Sequence, residues 1–120
     1  MREFSTPAVR PVGKDENLAN MVWANAEQFP ATVSFRRLVN GSWLDITTNE
    51  FAEQVLGASK GIIAAGLQPG ERVGLMSKTR YEWTLLNYAI WTVGCITVPI
   101  YHTSSADQVE WILADSSAKA

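Results

Sequence analysis

The stretch KTRYEWTLLNYAIWTVGCITVPIYHTSSADQVEWIL, Lys78 to Leu113, decides the fold, because it reads as helix, strand and helix in succession. Thr79 and Glu82 stand at capping-box spacing and open a helix from about Arg80 to Val93 that is apolar on most of its faces. A helix of that kind is buried on more than one side. Gly94 stops it, and Cys95 to Ile100 is a nearly continuous apolar strand of the type found inside parallel sheets. Ser105 and Gln108 then cap a second helix, with Ala106, Val109, Ile112 and Leu113 on its inner face.

Working backwards, Arg72 to Met76 is a short strand after the turn Leu67-Gln68-Pro69-Gly70, so strand, helix and strand form a βαβ unit. Thr47 and Glu50 make another capping box, and Ile46 and Phe51 occupy the positions of a hydrophobic staple. That helix carries Phe51, Ala52, Val55, Leu56, Ile62 and Ile63 on its apolar face and ends at Gly66. Before it, Thr32–Leu38 and Ser42–Thr47 flank Asn40-Gly41, the dipeptide of a type I′ hairpin. The first helix places Leu18, Met21, Val22, Ala26 and Phe29 on one face, with Asp15 or Asn17 as N-cap and Pro30 as the stop. Residues 1–14 form a polar, proline-containing lead. The fold class expected is α/β, a β-hairpin followed by a βαβ unit and packed helices.

Composition narrows the function. With 120 residues the chain can build one core, and 47% apolar content with five tryptophans and 18% charge describes a folded segment. A net charge of −2 and a pI near 5.3 give no footprint for nucleic acid. The single Cys95 cannot form an internal disulfide and sits among Val93, Gly94 and Ile96, so it reads as a small core residue. No apolar segment marks the first residues as a secretory signal. The 24 residues from Trp83 to Ala106 carry no formal charge, yet Asn87, Gly94, Pro99 and four threonines interrupt them, unlike a spanning helix.

The candidates for chemistry are few. Gly57-Ala58-Ser59-Lys60-Gly61 matches the G-x-S-x-G pattern, but it lies within a helix and turns Ser59 to the core, where the two glycines are expected to permit close packing. His102 follows a strand and precedes a helix, a position favoured by ligands in α/β sheets, but no partner accompanies it. Thr103, Ser104 and Ser105 are capping groups or, read more sharply, part of an anion site. Ser77-Lys78-Thr79-Arg80 is too poor in glycine to cradle phosphate and reads as solvated charge. Asn40-Gly41-Ser42 has the form of a glycosylation sequon but is read as a turn, and Trp83, Trp91 and Trp111 as core or interface filling.

Two segments, GLQPGERVGLMSKTRYEWTLL (Gly66–Leu86) and GCITVPIYHTSSADQVEWILADS (Gly94–Ser116), resemble the amino-terminal part of bacterial long-chain fatty acid:CoA ligases, AMP-forming enzymes of the adenylate-forming superfamily. The likeness covers most of residues 17–120. It implies an incomplete amino-terminal part of the adenylate-forming fold, with residues 15–120 a partial AMP-binding domain that stops before the phosphate-binding loop. The whole enzyme would use Mg-ATP to turn a fatty acid into an acyl-adenylate and then pass the acyl group to coenzyme A. It would be cytoplasmic, able to sit peripherally at the membrane, and able to pair as a homodimer through this domain. The family's working residues lie in a loop ending in Pro-Lys-Gly, a Tyr-Gly-x-Thr-Glu segment, a ribose-binding Asp and a lysine of a mobile domain. None has a counterpart here, so no catalytic, cofactor-binding or metal residue is assigned, and the chain alone is expected to be inactive and marginally stable. The competing readings are another adenylate former acting on aryl or short-chain acids, and a small α/β interaction module with no activity.

Overall fold

The computed structural model describes residues 3–9 and 11–120. Its elements run α1 (Asn20–Gln28), β1 (Val33–Val39), β2 (Ser42–Thr47), α2 (Thr48–Ala64), β3 (Arg72–Met76), α3 (Tyr81–Thr92), β4 (Ile96–Ile100) and α4 (Ala106–Ser116). This is the α/β order that the sequence predicts. The described residues before α1 include no helix or strand.

Strands β1 and β2 pair antiparallel across Asn40 and Gly41, whose φ values of 50° and 81° are those of a type I′ turn. Alternation then puts Phe35 and its partner Ile46 on the inner face, where Ile46 is buried, and Leu38 with Trp43 on the outer one.

At the start of α2 both halves of the capping box form: the Thr47 hydroxyl accepts the Glu50 N–H, and the Glu50 carboxylate accepts the Thr47 N–H. The next free amides are also taken, Thr48 N–H by the Thr32 carbonyl at 2.9 Å and Asn49 N–H by the Pro30 carbonyl at 3.2 Å. Ile46 and Phe51 meet as the staple requires, in a cluster with Val22, Ala52, Val55 and Ala89. Leu56 and Ile63, expected on the same face, are exposed instead. Only one stripe of α2 touches α1 and α3, and these two residues lie beside it.

Helix α1 departs further from the expected pattern. Val22 is buried, but Leu18, Met21 and Phe29 are 59%, 48% and 56% exposed. The helix is nine residues long and leans on α2 through Val22, Trp23 and Ala26, so the real inner face is rotated from the expected one. Asn17 accepts the Asn20 N–H at 3.1 Å, which caps the turn ahead of the helix rather than the helix itself.

Strands β3 and β4 pair in parallel, Arg72 opposite Ile96 through Met76 opposite Ile100, with α3 as the crossover. Helix α3 is buried on two sides: Ala89 joins the α1–α2 cluster, while Ile90 packs with Leu75 and Cys95. Its expected capping box does not form. Arg80 holds the N-cap position without a side-chain cap, and Glu82 is taken by two arginines rather than reaching back to Thr79. Gly94 ends the crossover with φ 77°, and a Cβ there would lie 3.2 Å from the Pro69 ring.

Beyond β3, Lys119 N–H donates to the Arg72 carbonyl at 2.8 Å and Gly74 N–H to the Ala120 carbonyl at 2.6 Å. The last two residues thus run along β3, which pairs with β4 in a two-stranded sheet, and Ile96 of β4 is 50% exposed. Helix α4, capped by Ser105 and Gln108 as expected, lays Leu113 over Gly74, where a Cβ would come within 2.9 Å of the leucine methyl. Val109, Ile112 and Leu113 are half-buried, but Ala106 is exposed and Trp111, expected to fill a core or interface, is 66% exposed. The radius of gyration is 17.2 Å, above the roughly 13–14 Å of a compact domain of this length.

Candidate functional site

Parallel strands β3 and β4 send their carboxyl ends in the same direction, and the loops that follow are where α/β sheets hold ligands. The β3–α3 loop brings Ser77, Lys78, Thr79 and Arg80; the β4–α4 loop brings Tyr101, His102, Thr103, Ser104 and Ser105. Tyr101 separates two clefts. One, of about 440 Å³, lies between the loops and is lined by Ser77, Thr79, Trp83, Pro99, Ile100 and His102. The other, of about 610 Å³, runs along the start of α4 past Thr103, Ser104, Asp107, Gln108 and Trp111.

The structure thus places His102 with Ser77 and Thr79 in one cleft, and Thr103 and Ser104 in the next. The chemistry available there is modest. The Ser77 hydroxyl donates to the Lys78 carbonyl at 3.0 Å, and Ser105 is engaged in its capping box. Asp107 adds a negative charge in the first turn of α4, opposing an anion at that helix end. His102 is exposed and makes no hydrogen bond within the described residues.

One polar network was not foreseen. Glu82 bridges Arg37 of the hairpin and Arg80 of the loop, and the Arg37 guanidinium lies 4.6 Å from the centre of the Tyr81 ring. Tyr81 in turn donates to Gln54 at 2.9 Å and packs edge-on to Phe35 and Phe51. The hydrogen bond from Arg80, Glu82's own backbone N–H and the charge of Arg37 hold the Glu82 carboxyl below its ordinary range. The cluster ties hairpin, α2 and α3 together and occupies the loop's arginine. Spacing could not reveal it, because Arg37 and Glu82 are 45 residues apart.

The other candidates are structural. Ser59 is buried within α2 and donates to the carbonyls of Val55 at 2.8 Å and Ala89 at 3.3 Å, so it is no exposed nucleophile. Gly57 and Gly61 do not permit close packing, since a Cβ at either position meets nothing within 4 Å. Cys95 is buried with its sulfur 3.2 Å from the Gln68 carbonyl, and burial, aided by Glu71, pushes its thiol up and away from the reactive thiolate. Among the described residues no group of three or more His, Cys, Asp and Glu could hold a metal ion, and no helix is long and apolar enough to cross a membrane. Arg80 is paired with Glu82, the first amides of α2 are occupied, and Thr103 and Ser104 share their cleft with Asp107.

Comparison with known proteins gives a consistent result. The model of the AMP-binding enzyme family matches residues 22–120. A long-chain-fatty-acid CoA ligase of Mycobacterium bovis, FadD15, is 49% identical over 118 residues, which are 98% of this chain and 20% of the relative. The chain therefore spans about a fifth of the length of such curated relatives. The crystal structure of IdnL1 superposes with a TM-score of 0.80 at 21% identity, covering 92% of this chain and 22% of that one. A fatty acid AMP ligase from Legionella pneumophila does so at 0.74 and 22% identity, covering 83% of this chain and 18% of its own. Hairpin, capped helices and parallel βαβ unit, together with the family match across residues 22–120, show that the chain belongs to the AMP-binding enzymes, the adenylate-forming ligases that its sequence resembles.

Proposed function

We propose that residues 15–120 form the amino-terminal part of the AMP-binding domain of a long-chain fatty acid:CoA ligase, with residues 1–14 as a polar lead. The observation that carries this reading is the 49% identity to the Mycobacterium bovis long-chain-fatty-acid CoA ligase over 98% of the chain. In the whole enzyme, Mg-ATP would activate the fatty acid as its adenylate with release of pyrophosphate, and the thiol of coenzyme A would then take the acyl group and release AMP. Residues outside the matched fifth supply that chemistry. This chain supplies the frame, a sheet edge and packed helices against which the phosphate-binding parts are held in place. Such an enzyme works in the cytoplasm, peripherally at the membrane, and pairs with a second copy through this domain. It is tested with an enzyme that carries residues 1–120 unchanged, given ATP, coenzyme A and acids from acetate and benzoate to palmitate and oleate. AMP forms fastest with the long-chain acids; a preference for acetate or benzoate would replace this reading with that of a short-chain or aryl ligase.

A further inference from the structure

Helices α1, α2 and α3 and strand β1 surround a cavity of about 260 Å³ that lies apart from the clefts at the ends of β3 and β4. Val22, Thr48 and Phe51 in its wall are buried, Phe35 and Tyr88 half-buried, and Met21, Asn25 and Ser34 exposed. Its floor is therefore the core between the helices, and its mouth opens to solvent. All of these lining residues fall within residues 21–88, so the wall is built by this chain itself.

Three aromatic rings give the cavity its character. The Phe51 ring lies 4.7 Å from that of Phe35, centre to centre, and 5.7 Å from that of Tyr88, which it meets at 89°. Aromatic rings pair offset or edge-on at such spacings, so a further ring finds both faces and edges to meet. The polar groups are few and largely unspent. The Thr48 hydroxyl donates to the Phe29 carbonyl, but the side chains of Asn25 and Ser34 and the Tyr88 hydroxyl make no hydrogen bond within the described residues. An apolar pocket with a few convergent polar groups is the usual form of a small-molecule site. Charge and size narrow the ligand. No ionisable Lys, Arg, His, Asp or Glu lines the cavity, so a carboxylate or phosphate meets no counter-charge. A volume of about 150 Å³ already holds benzene, whereas pockets for larger ligands run from roughly 300 to 1,000 Å³.

We propose that this cavity binds a small, neutral aromatic alcohol, its ring against Phe35, Phe51 and Tyr88 and its hydroxyl at Asn25 and Ser34. The site is separate from the ligase chemistry, and a ligand there ties α1 to the hairpin and to α2. The test uses an enzyme that carries residues 1–120 unchanged, without ATP or fatty acid, titrated with 4-fluorophenol and followed by fluorine NMR and by melting temperature. The fluorine resonance shifts saturably and the melting temperature rises with ligand concentration. Fluorobenzene, which lacks the hydroxyl, binds about tenfold more weakly. The Asn25→Ala/Ser34→Ala variant, altered at two exposed positions, keeps its unliganded melting temperature and loses about tenfold in affinity for 4-fluorophenol. No saturable binding, equal affinity for fluorobenzene, or unchanged affinity in the double variant overturns the proposal. So does displacement of 4-fluorophenol by palmitate, which would place it in the fatty acid pocket. Because the readout is binding and not acyl-CoA formation, this proposal and the ligase reading fail separately.

Discussion

At Gly74 the absence of a side chain sets how closely α4 approaches the sheet. An added Cβ would lie 2.9 Å from a methyl of Leu113 and 3.5 Å from Ile100, so the larger Val forces the helix outward. Overpacking of this kind costs about 1–3 kcal/mol. Gly74→Val is expected to lose stability in that range, and Leu113→Ala in the same chain to recover part of it; full additivity of the two losses in urea unfolding would show that they do not touch. Gly57 and Gly61 lie in the exposed middle of α2 and have open space where a Cβ would go, so each Gly→Ala change should add about 1 kcal/mol. A loss of stability there would mean that something packs on that face of α2. Among single residues, the buried role of Ser59 was readable from helical phase. The close approach at Gly74 was not, because a glycine in a strand looks the same whether or not a helix rests on it.

Local chemistry decides some elements, and distant partners override it in others. The Thr47 and Ser105 capping boxes form as their spacing predicts, since both partners lie within one turn and nothing competes for them. Thr79–Glu82 has the same spacing and fails, because Arg37 from the hairpin and Arg80 offer Glu82 a charged partner in place of a hydroxyl. The apolar face of α1 was misread for a related reason: which stripe is buried depends on where α2 lies. The bonds to Glu82 give a pH signature. Its carboxyl is held below the ordinary 4.5, as is that of Glu50 in its capping box. Each therefore stabilises the fold above that value and stops doing so as pH falls through its lowered pKa. Melting temperature is expected to fall on acidification below 4.5, and Glu82→Gln to flatten part of that fall; identical pH profiles for variant and parent would remove Glu82 from the account.

For the whole molecule, the edges and exposed faces are as informative as the core. Lys119 and Ala120 lie along β3, β4 presents an edge with Ile96 half-exposed, and Leu56, Ile63 and Trp111 face outward, on a chain that is wider than a compact domain of its length. Order and type of elements were legible because each has its own period and punctuation. The backbone bonds that join residues 119 and 120 to β3 were not, since they depend on tertiary pairing. The clefts at the carboxyl ends of β3 and β4 gather several of the residues that sequence reasoning had singled out, among them Ser77, Thr79, His102, Thr103 and Ser104. The central claim is that this chain is the frame of a long-chain ligase. It is tested most directly by exchanging the matched residues of the Mycobacterium bovis ligase for this chain and measuring palmitoyl-CoA formation with ATP and coenzyme A. The account predicts a folded enzyme that forms palmitoyl-CoA, while the chain alone releases no pyrophosphate from Mg-ATP and palmitate. A folded but inactive exchange enzyme, or pyrophosphate release by the chain alone, would contradict it.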